Sequence, residues 1–388
     1  MLSRRRFVQT AGIGAAAFIT ARGRENSIWG AFEPTLEALE PGVICLASNE
    51  NPLGPGTAVL DAVKAAFGPS GTTPGRYSGS SRDLIDAIAK RQGVKPENVV
   101  LGCGSTQILR SCTHLFTAKD KALVGTIPTY EECAGYAEMM GHPVRPVALN
   151  REFKMDLDKL ADAANGAGLI FYCNPNNPTA TYVGAAATRD FLARVNRDSP
   201  DTTILVDEAY FDYVTDPDHD THIPIAIQNP RVIVAHTFSK AYGMAGLRIG
   251  YAVGHPDTIK KMAEWDAGSG TSSLNVLAMR AAIAATERDA SYVAAERARN
   301  KEVRDFTMKW FADRGMKPTD SQANFMFVNI GRPVKGFRDA CKTKGVLVAR
   351  DFPPFEKTHC RISYGTMDEM KKAVAVFDQV LAKKATAA

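Results

Sequence analysis

Short apolar runs alternate with helical patterns through the middle of the chain. Six runs rich in aliphatic residues predict strands: NVVLGCG, KALVGTI, GLIFYCN, TTILVDEAY, RVIVAHTFS and GLRIGYAVG. Segments between them, such as STQILRSCTHLFTA and AAATRDFLARVNRD, have the spacing of amphipathic helices. This alternation predicts an α/β fold with a large, doubly wound, mostly parallel sheet flanked by helices.

The pattern changes near Pro256, where a long, Ala-rich helical stretch runs to Arg314. Three strand-like runs (NFMFVNI, GVLVARD and CRISYG) and a closing helix from Met367 follow. We therefore predict a large domain over residues 56–254 and a smaller α+β domain over residues 255–388. Residues 31–55 are expected to join the small domain or to cross a dimer surface.

Composition is that of an ordered globular protein. Of 388 residues, 45% are hydrophobic and 23% charged, which argues against disorder. The formal net charge of +5 could indicate an anionic partner. However, five arginines and no acidic residue fall in the first 24 positions, and the rest of the chain holds 42 basic and 42 acidic residues. The charge balance therefore predicts no nucleic-acid partner.

The basic N-terminus has the layout of an export signal. MLSRRRFVQTAGIGAAAFITARG has a charged head, a weakly apolar middle and a basic tail, so residues 1–30 are predicted to be an export signal. The apolar run is too short for stable membrane insertion. The stretch Ser3–Val8 resembles a twin-arginine leader, which implies a bacterial protein exported in folded form to the periplasm by the twin-arginine machinery. The alternative is a basic N-terminus without a targeting role.

The seven cysteines do not predict a metal site. None form a close C-x-x-C pair, and several lie in apolar runs where buried, inert thiols are usual. We expect neither a zinc site nor an essential disulfide framework.

The stretch HTFSKAYGMAGLRIGYAV carries the strongest candidate for chemistry. Lys240 follows an apolar strand, where burying a lysine costs free energy, so a lysine at this position suggests a functional role. Desolvation and nearby positive charge would lower its pKa and make it a nucleophile toward an aldehyde. Ser239 and Arg248 supply a hydroxyl and a guanidinium, which suit a phosphate. On its own, a lysine in the position of Lys240 is more often a surface lysine at a strand end.

Polar residues also follow neighbouring predicted strands. Asp207 ends the run TTILVD, at the sheet edge where ligands bind in open α/β folds. A single carboxylate there could keep a ring nitrogen protonated. Tyr210 could hydrogen-bond a phenolic oxygen, and Asn177, in an Asn/Pro-rich turn, offers an amide N–H.

The loop GCGSTQIL joins a strand to a helix. Ser105 and Thr106 would place backbone N–H groups at a helix N-terminus, which favours an anion. Tyr130 follows the next strand, where a ring could stack on a flat cofactor or simply pack in the core. Together these residues predict a phosphorylated, flat pyridine aldehyde bound by a lysine.

At this point the chain resembles the fold-type I pyridoxal-phosphate aminotransferases, in the class I/II branch that contains the histidinol-phosphate aminotransferases. The resemblance extends from about Leu46 to Gly365. It is carried by ordered motifs: LASNENPLGP, RYSG, GCGSTQ, PTYEE, NPNNPT, DEAYFDY, TFSKAYGMAGLRIGY, ANFMFV and RISYGT.

The resemblance implies a role for each cofactor residue. Lys240 forms the Schiff base and carries the proton between Cα and C4′, Asp207 pairs with the pyridinium nitrogen, and Tyr130 stacks on the ring. Asn177 and Tyr210 hold the phenolic oxygen. The phosphate contacts are Ser105, Thr106, Ser239, Arg248 and, reaching the neighbouring subunit of a homodimer, Tyr77.

Substrate contacts are implied in the same way. Arg361 matches the arginine that holds the substrate carboxylate or an equivalent anionic group, and the motifs imply further contacts from Asn51, Asn324 and Arg350. The substrate amine then displaces Lys240, which removes the Cα proton. The product is a keto acid or aldehyde, and a second oxo acid restores the cofactor.

Three features differ from the histidinol-phosphate enzymes. The short N-terminal stretch FEPTLEALEPG has no Tyr, Ser78–Ser80 replaces an acidic continuation after Tyr77, and Arg350 is displaced by one residue. We therefore expect an aminotransferase for an amino acid or related amine with a 2-oxo acid, with histidinol-phosphate aminotransferase proper as one option. A pyridoxal-phosphate decarboxylase of the same fold is a second option. A cofactor-binding regulator is disfavoured, because no DNA-binding segment precedes Phe32 or follows Ala388.

Overall fold

The computed structural model describes residues 42–68, 75, 81–269, 274–288 and 290–382. The predicted export signal and Tyr77 lie outside these residues.

The strands, in chain order, are β1 (Ile44–Leu46), β2 (Val99–Gly102), β3 (Ala122–Ile127), β4 (Val144–Ala148), β5 (Ala167–Cys173), β6 (Thr203–Asp207), β7 (Val232–Thr237), β8 (Gly250–Gly254), β9 (Phe325–Asn329), β10 (Val346–Val348) and β11 (His359–Ser363). The helices are α1 (Thr57–Ala66), α2 (Arg82–Gln92), α3 (Gly104–Phe116), α4 (Glu132–Met139), α5 (Leu157–Ala163), α6 (Ala185–Asp198), α7 (Ile223–Ala226), α8 (Pro256–Ser269), α9 (Val276–Arg288), α10 (Ala290–Ala312), α11 (Val334–Lys342) and α12 (Met367–Ala382). Short 3₁₀ turns cover Pro96–Asn98, Phe211–Tyr213 and Ala245–Leu247.

In the part of the chain that the structure describes, seven strands form one sheet in the order β2-β8-β7-β6-β5-β3-β4. Strand β8 is antiparallel to both of its neighbours, and the other pairs are parallel. The central strands β5, β6 and β7 are buried along their whole length. Burial on both faces explains why their sequences are apolar runs rather than alternations. The predicted α/β fold with a mostly parallel sheet is confirmed.

Strand β4 was not predicted from the sequence pattern. It lies at the edge of the sheet beside β3, and most of its residues are exposed or half-buried. Pro146 at its centre is tolerated because an edge strand leaves one side without a neighbour.

The parallel strands bring three chain segments to one edge of the sheet. Asp207 is the last residue of β6 and pairs in register with Cys173, the last residue of β5. Strand β7 ends at Thr237, three residues before Lys240. Since β5, β6 and β7 are parallel neighbours, the residues after each strand meet at the carboxyl edge.

Most buried apolar side chains of the described residues lie in two main cores, with smaller clusters beside them. The first surrounds the large sheet and includes Ile259 of α8 and Ala282 of α9, while the second surrounds β9, β11 and α12. Helix α10 reaches both, with Val293 in the first core and Phe311 in the second. The predicted domain boundary after residue 254 stays a prediction. Helices α8 and α9 pack with the large sheet, because α9 offers a close-packing alanine face to α1 and α2, and the change of core falls within α10.

The small domain includes a segment from early in the chain. Strand β1 pairs in parallel with β10, which places residues 44–46 on the small domain, and β11 pairs antiparallel with β9. Arg361 lies on β11 opposite Phe327. Among the described residues, the search for a helix long and apolar enough to span a bilayer found none.

Candidate active site

Lys240 lies in a partly buried position just beyond β7. Its Nζ donates to the backbone carbonyl of Ser48 at 3.1 Å and lies 5.8 Å from the centroid of the Tyr210 ring. Burial, helped by the positive charge of Arg361, lowers the pKa of Lys240 to about 8. About a tenth of this amine is therefore neutral and nucleophilic at pH 7, far more than for an ordinary lysine.

Asp207 is a buried carboxylate with few partners. Its Oδ1 accepts the backbone N–H of Ala209 at 3.2 Å, and its Oδ2 lies 3.9 Å from the Cys173 thiol. Burial raises the pKa of Asp207 to about 6, although the charges of His236 and Lys240 oppose that rise. A cationic N–H group placed beside this carboxylate would relieve its desolvation.

Arg248 forms one side of an anion site together with two hydroxyls. Its Nη1 lies 3.5 Å from Ser239 Oγ and 3.0 Å from the Ala245 carbonyl, and its Nη2 lies 3.4 Å from Thr106 Oγ1. The Arg248 backbone has a φ of 56°, in the left-handed region, so the loop holds this guanidinium in place at some conformational cost.

Two glycines leave room for this arrangement. A Cβ on Gly104, whose φ is +70°, would lie 2.4 Å from Arg248 Nη2. A Cβ on Gly250 would lie 2.5 Å from the backbone nitrogen of Ser105. Because α3 begins at Gly104, Ser105 and Thr106 present first-turn N–H groups that have no partner within the helix. We call this group of Ser105, Thr106, Ser239 and Arg248 the anion cup.

Tyr130 hydrogen-bonds the anion cup, and the charge of the Asp207 carboxylate acts on it. It is half-buried against the large core, and its hydroxyl bonds the Thr106 side chain. Burial raises the pKa of Tyr130, so its phenol stays protonated.

Tyr210 is held by a residue that the sequence analysis did not identify. Asn49 Nδ2 donates to the Tyr210 hydroxyl at 3.0 Å. Asn49 is itself fixed by Ser363, whose Oγ donates to Asn49 Oδ1 at 2.7 Å. The backbone of Asn49 has a φ of 56°, a conformation that asparagine tolerates better than most residues. A left-handed Asn cannot be read from the sequence, and only its place in the motif LASNENPLGP singles it out.

Arg361 contacts the predicted cofactor side of the site. Its Nη1 donates to Asn177 Oδ1 at 2.7 Å, its Nη2 donates to the Ala47 carbonyl, and its Nε is buried without a partner in the described residues. Burial lowers the pKa of Arg361 to about 10. The contact with Asn177 occupies the amide oxygen, which leaves the amide N–H₂ as the donor toward a ligand.

Asn51 and Asn324 are committed to other parts of the protein. Asn51 donates to the Ala241 carbonyl at 3.0 Å and to the Tyr292 hydroxyl at 3.1 Å. Asn324 donates to the Asn49 carbonyl at 2.9 Å. Both side chains therefore position segments of the site; Asn51 also lines a cavity of about 310 Å³ next to Ser239.

The charge of Arg350 is paired with that of Glu131. Its Nη2 bonds the carboxylate of Glu131 and its Nη1 donates to the Asp351 carbonyl at 2.9 Å. Its guanidinium also lies 4.5 Å from the centre of the Phe352 ring. Neither Glu131 nor Phe352 is predictable from the sequence, because an acidic residue after Tyr130 and a Phe two residues after Arg350 carry no local signal of this contact.

A lysine whose pKa is lowered, a buried carboxylate and the anion cup lie at one sheet edge, an arrangement that could hold a phosphorylated aldehyde. No group of three or more His, Cys, Asp or Glu side chains able to hold a metal ion occurs among the residues described.

Comparison with known proteins shows the family to which the chain belongs. A family model described as aminotransferase class I and II matches residues 41–377. The chain is 34% identical over 342 residues to the histidinol-phosphate aminotransferase of Moorella thermoacetica, with 88% of this chain and 86% of the relative covered. It is 31% identical over 345 residues to the same-named protein of Halalkalibacterium halodurans, with 89% and 90% covered.

A solved histidinol-phosphate aminotransferase from Sinorhizobium meliloti, in complex with pyridoxal 5′-phosphate, superposes with a TM-score of 0.81 at 26% identity, covering 92% of this chain and 96% of that chain. The chain belongs to the class I and II aminotransferases. It is an enzyme that transfers amino groups.

Proposed function

We propose that this aminotransferase carries out its chemistry with Lys240, using pyridoxal 5′-phosphate as cofactor. The observation that carries the proposal is the juxtaposition of a lysine whose pKa is lowered to about 8, the buried Asp207 and the anion cup at one sheet edge. When bound, the cofactor supplies an aldehyde carbon for an amine and a ring that takes up electrons as a substrate bond breaks.

The residues present fit this cofactor. Glycines at positions 104 and 250 leave space beside Arg248 and the Ser105 N–H for a phosphate. Asp207, buried and short of donors, suits a protonated ring nitrogen. Tyr210 and Asn177 have donors for the ring hydroxyl. Tyr130 hydrogen-bonds Thr106 of the anion cup, and the charge of Asp207 acts on it.

Lys240 acts as both nucleophile and proton carrier. The neutral Nζ would hold the cofactor at its aldehyde carbon, with water as the leaving group. When a substrate amine takes that place, the freed Nζ would accept the proton from the substrate Cα. Arg361 favours the neutral form because its positive charge lowers the Lys240 pKa. Arg361 also orients the substrate by holding its anionic group through a charge-assisted pair.

Replacement of the lysine tests the assignment. We expect Lys240→Ala to lose both the visible absorbance of the lysine-bound cofactor and transamination. Lys357→Ala, an exposed lysine in the small domain, serves as the control and should retain both. Turnover retained in Lys240→Ala would rule out this role.

The amino donor is an amino acid or related amine, and the acceptor is a 2-oxo acid. Relatives named histidinol-phosphate aminotransferase make L-histidinol phosphate one candidate donor. A half-reaction screen tests this: the aldehyde-form enzyme is mixed with single donors, and loss of the cofactor absorbance identifies those that react. Release of CO₂ in place of keto-acid formation would indicate a decarboxylase.

The enzyme works as a homodimer in which Tyr77 contacts the cofactor phosphate of the neighbouring subunit. Three exposed apolar side chains near α1 support a contact surface: Leu53, Leu60 and Phe67. Tyr77→Ala and Lys240→Ala should each lose activity. Mixing the two variants should restore it, since one site of a mixed dimer is complete. Absence of recovery, with sedimentation showing a 41.9 kDa particle, would contradict the dimer.

Residues 1–30 direct export through the twin-arginine machinery to the periplasm. The arginines Arg4, Arg5 and Arg6 followed by an apolar residue support this. A fusion of residues 1–41 to a fluorescent protein should reach the periplasm of a bacterial host. Changing the three arginines to lysine should retain the fusion in the cytoplasm; unchanged export would contradict a twin-arginine route.

A further inference from the structure

A second arginine lies beside Arg361 with its charge already paired. The guanidinium carbon of Arg361 is 4.9 Å, and that of Arg350 4.5 Å, from the centroid of the buried Phe352 ring. Arg350 Nη2 bonds the carboxylate of Glu131. Glu131 directly follows Tyr130, so this ion pair joins the large domain to the small one next to the cofactor side of the site.

The ion pair of Glu131 with Arg350 lowers the positive charge that faces a bound substrate. The side chains of Glu131 and Arg350 are only 16% and 27% exposed, so solvent screens them weakly. Both charges act on Arg361: Arg350 disfavours its protonated form, and Glu131 favours it. With Arg350 neutralised by Glu131, the substrate's anionic group faces one net positive charge, that of Arg361.

We propose that Glu131 is a specificity-determining residue: by pairing with Arg350 it favours donors with a single carboxylate over donors with a phosphate dianion. This inference rests on the proposed function, because it takes Arg361 to hold the donor's anionic group.

The physical reason is the cost of recruiting Arg350. A phosphate monoester carries a charge of about −1.5 to −2 at neutral pH, so Arg361 alone neutralises only part of it. A second guanidinium could come from Arg350 only if it left Glu131. That movement would strand a partly buried carboxylate next to a bound dianion, which is unfavourable. A carboxylate donor requires no such movement.

Donor preference in the half-reaction tests the role of Glu131. With the cofactor-loaded enzyme, kcat/KM is measured for L-phenylalanine and for L-histidinol phosphate. We expect the wild type to prefer L-phenylalanine, and Glu131→Gln to shift the ratio at least about tenfold toward the phosphate donor, since freeing Arg350 adds one charge-assisted contact. Glu132→Gln is the matched control: it removes the same charge, but Glu132 pairs with Arg110 at 2.5 Å, and the ratio should stay unchanged.

A binding measurement separates this effect from catalysis. 3-Phenylpropionate and phenethyl phosphate share a ring and chain but carry a monoanion and a dianion, and neither has an amine to react. Titration calorimetry should show that Glu131→Gln raises the affinity for phenethyl phosphate at least about tenfold relative to that for 3-phenylpropionate, and that Glu132→Gln does not.

Three outcomes would overturn the inference. The first is a wild type that prefers L-histidinol phosphate. The second is a Glu131→Gln variant whose kcat/KM ratio for the two donors and affinity ratio for the two anions match those of the wild type. The third is a Glu132→Gln variant that shifts both ratios as much as Glu131→Gln does. Failure of the proposed function is distinguishable, because the wild type would then exchange no amino group with either donor.

Discussion

At the scale of single residues, the titration of Lys240 governs when the enzyme can accept its cofactor. Burial and the charge of Arg361 lower the lysine pKa to about 8, so the reactive neutral amine grows as pH rises through that value. We expect the rate at which the cofactor-free protein binds pyridoxal phosphate to rise with pH and level off above about pH 8.

Variants of two arginines test the effect of nearby positive charge on the pKa of Lys240. Arg361→Met removes a positive charge next to Lys240 and should move the midpoint of this pH profile upward. Arg151→Met removes an exposed arginine and should leave it in place. A stopped-flow record of cofactor absorbance at several pH values checks both. A profile that falls with pH would contradict the account.

The glycine at position 104 provides a second test at this scale. Gly104→Ala places a methyl group 2.4 Å from Arg248 Nη2 and should weaken cofactor binding about tenfold or more, because the guanidinium must leave the anion cup. Gly93→Ala has the same backbone strain, with a φ of +65°, but its Cβ would meet nothing within 4 Å. Equal loss of cofactor affinity in both variants, measured by fluorescence titration, would mean that strain rather than the clash is responsible.

At the scale of elements, the last residue of β6 belongs to the active site, and the residue after it belongs to a buried ionic cluster. Glu208 follows Asp207, and its Oε1 and Oε2 lie 3.0 Å from His222 Nδ1 and His236 Nε2. The two imidazoles hold the pKa of Glu208 far below its usual range, against the opposing effect of burial. The cluster ties the end of β6 to β7 and to the start of α7, and so fixes the strand that bears Asp207.

Glu208→Gln should destabilise the protein by about 3 kcal/mol, since it removes one partner from a buried pair. The pKa of His236 is raised because Glu208 outweighs the effect of burial. Its stabilising contribution is therefore complete below about pH 6.5 and is lost as pH rises through the raised value. Urea unfolding of wild type and variant should show a larger gap at about pH 6 than at about pH 9. A gap independent of pH would show that the His236 charge plays no part.

At the scale of the whole molecule, α10 joins the two cores. Glu296 lies on this helix with its side chain buried; the Tyr213 hydroxyl donates to it at 3.2 Å, and Arg299 pairs with it at 2.7 Å. Arg299 Nη1 also donates to the Gly365 carbonyl at 2.8 Å, in the small domain. The cluster therefore couples both domains to one helix, and with them the residues of the active site that each domain supplies.

Glu296→Ala should lower the free energy of unfolding by about 3 kcal/mol, because it leaves a buried phenol and guanidinium without their carboxylate. Glu302→Ala on the same helix alters an exposed position and should change stability by less than about 0.5 kcal/mol. Denaturant unfolding of the three proteins measures this difference. A Glu296→Ala variant as stable as Glu302→Ala would show that the cluster does not stabilise the joint.

The sequence by itself determined the α/β class, six of the seven strands of the large sheet and the chemical types gathered at their ends. It could do so because strand and helix periods and the polarity of strand ends are local properties of the chain. It missed the edge strand β4, whose Pro146 and exposed residues give no apolar signal. Only the tertiary structure decided that α8 and α9 pack with the large sheet, that Asn49 holds Tyr210 and that Glu131 pairs with Arg350. Those contacts join residues 161 and 219 positions apart, and their formation depends on how two separate cores pack together, which no local pattern records.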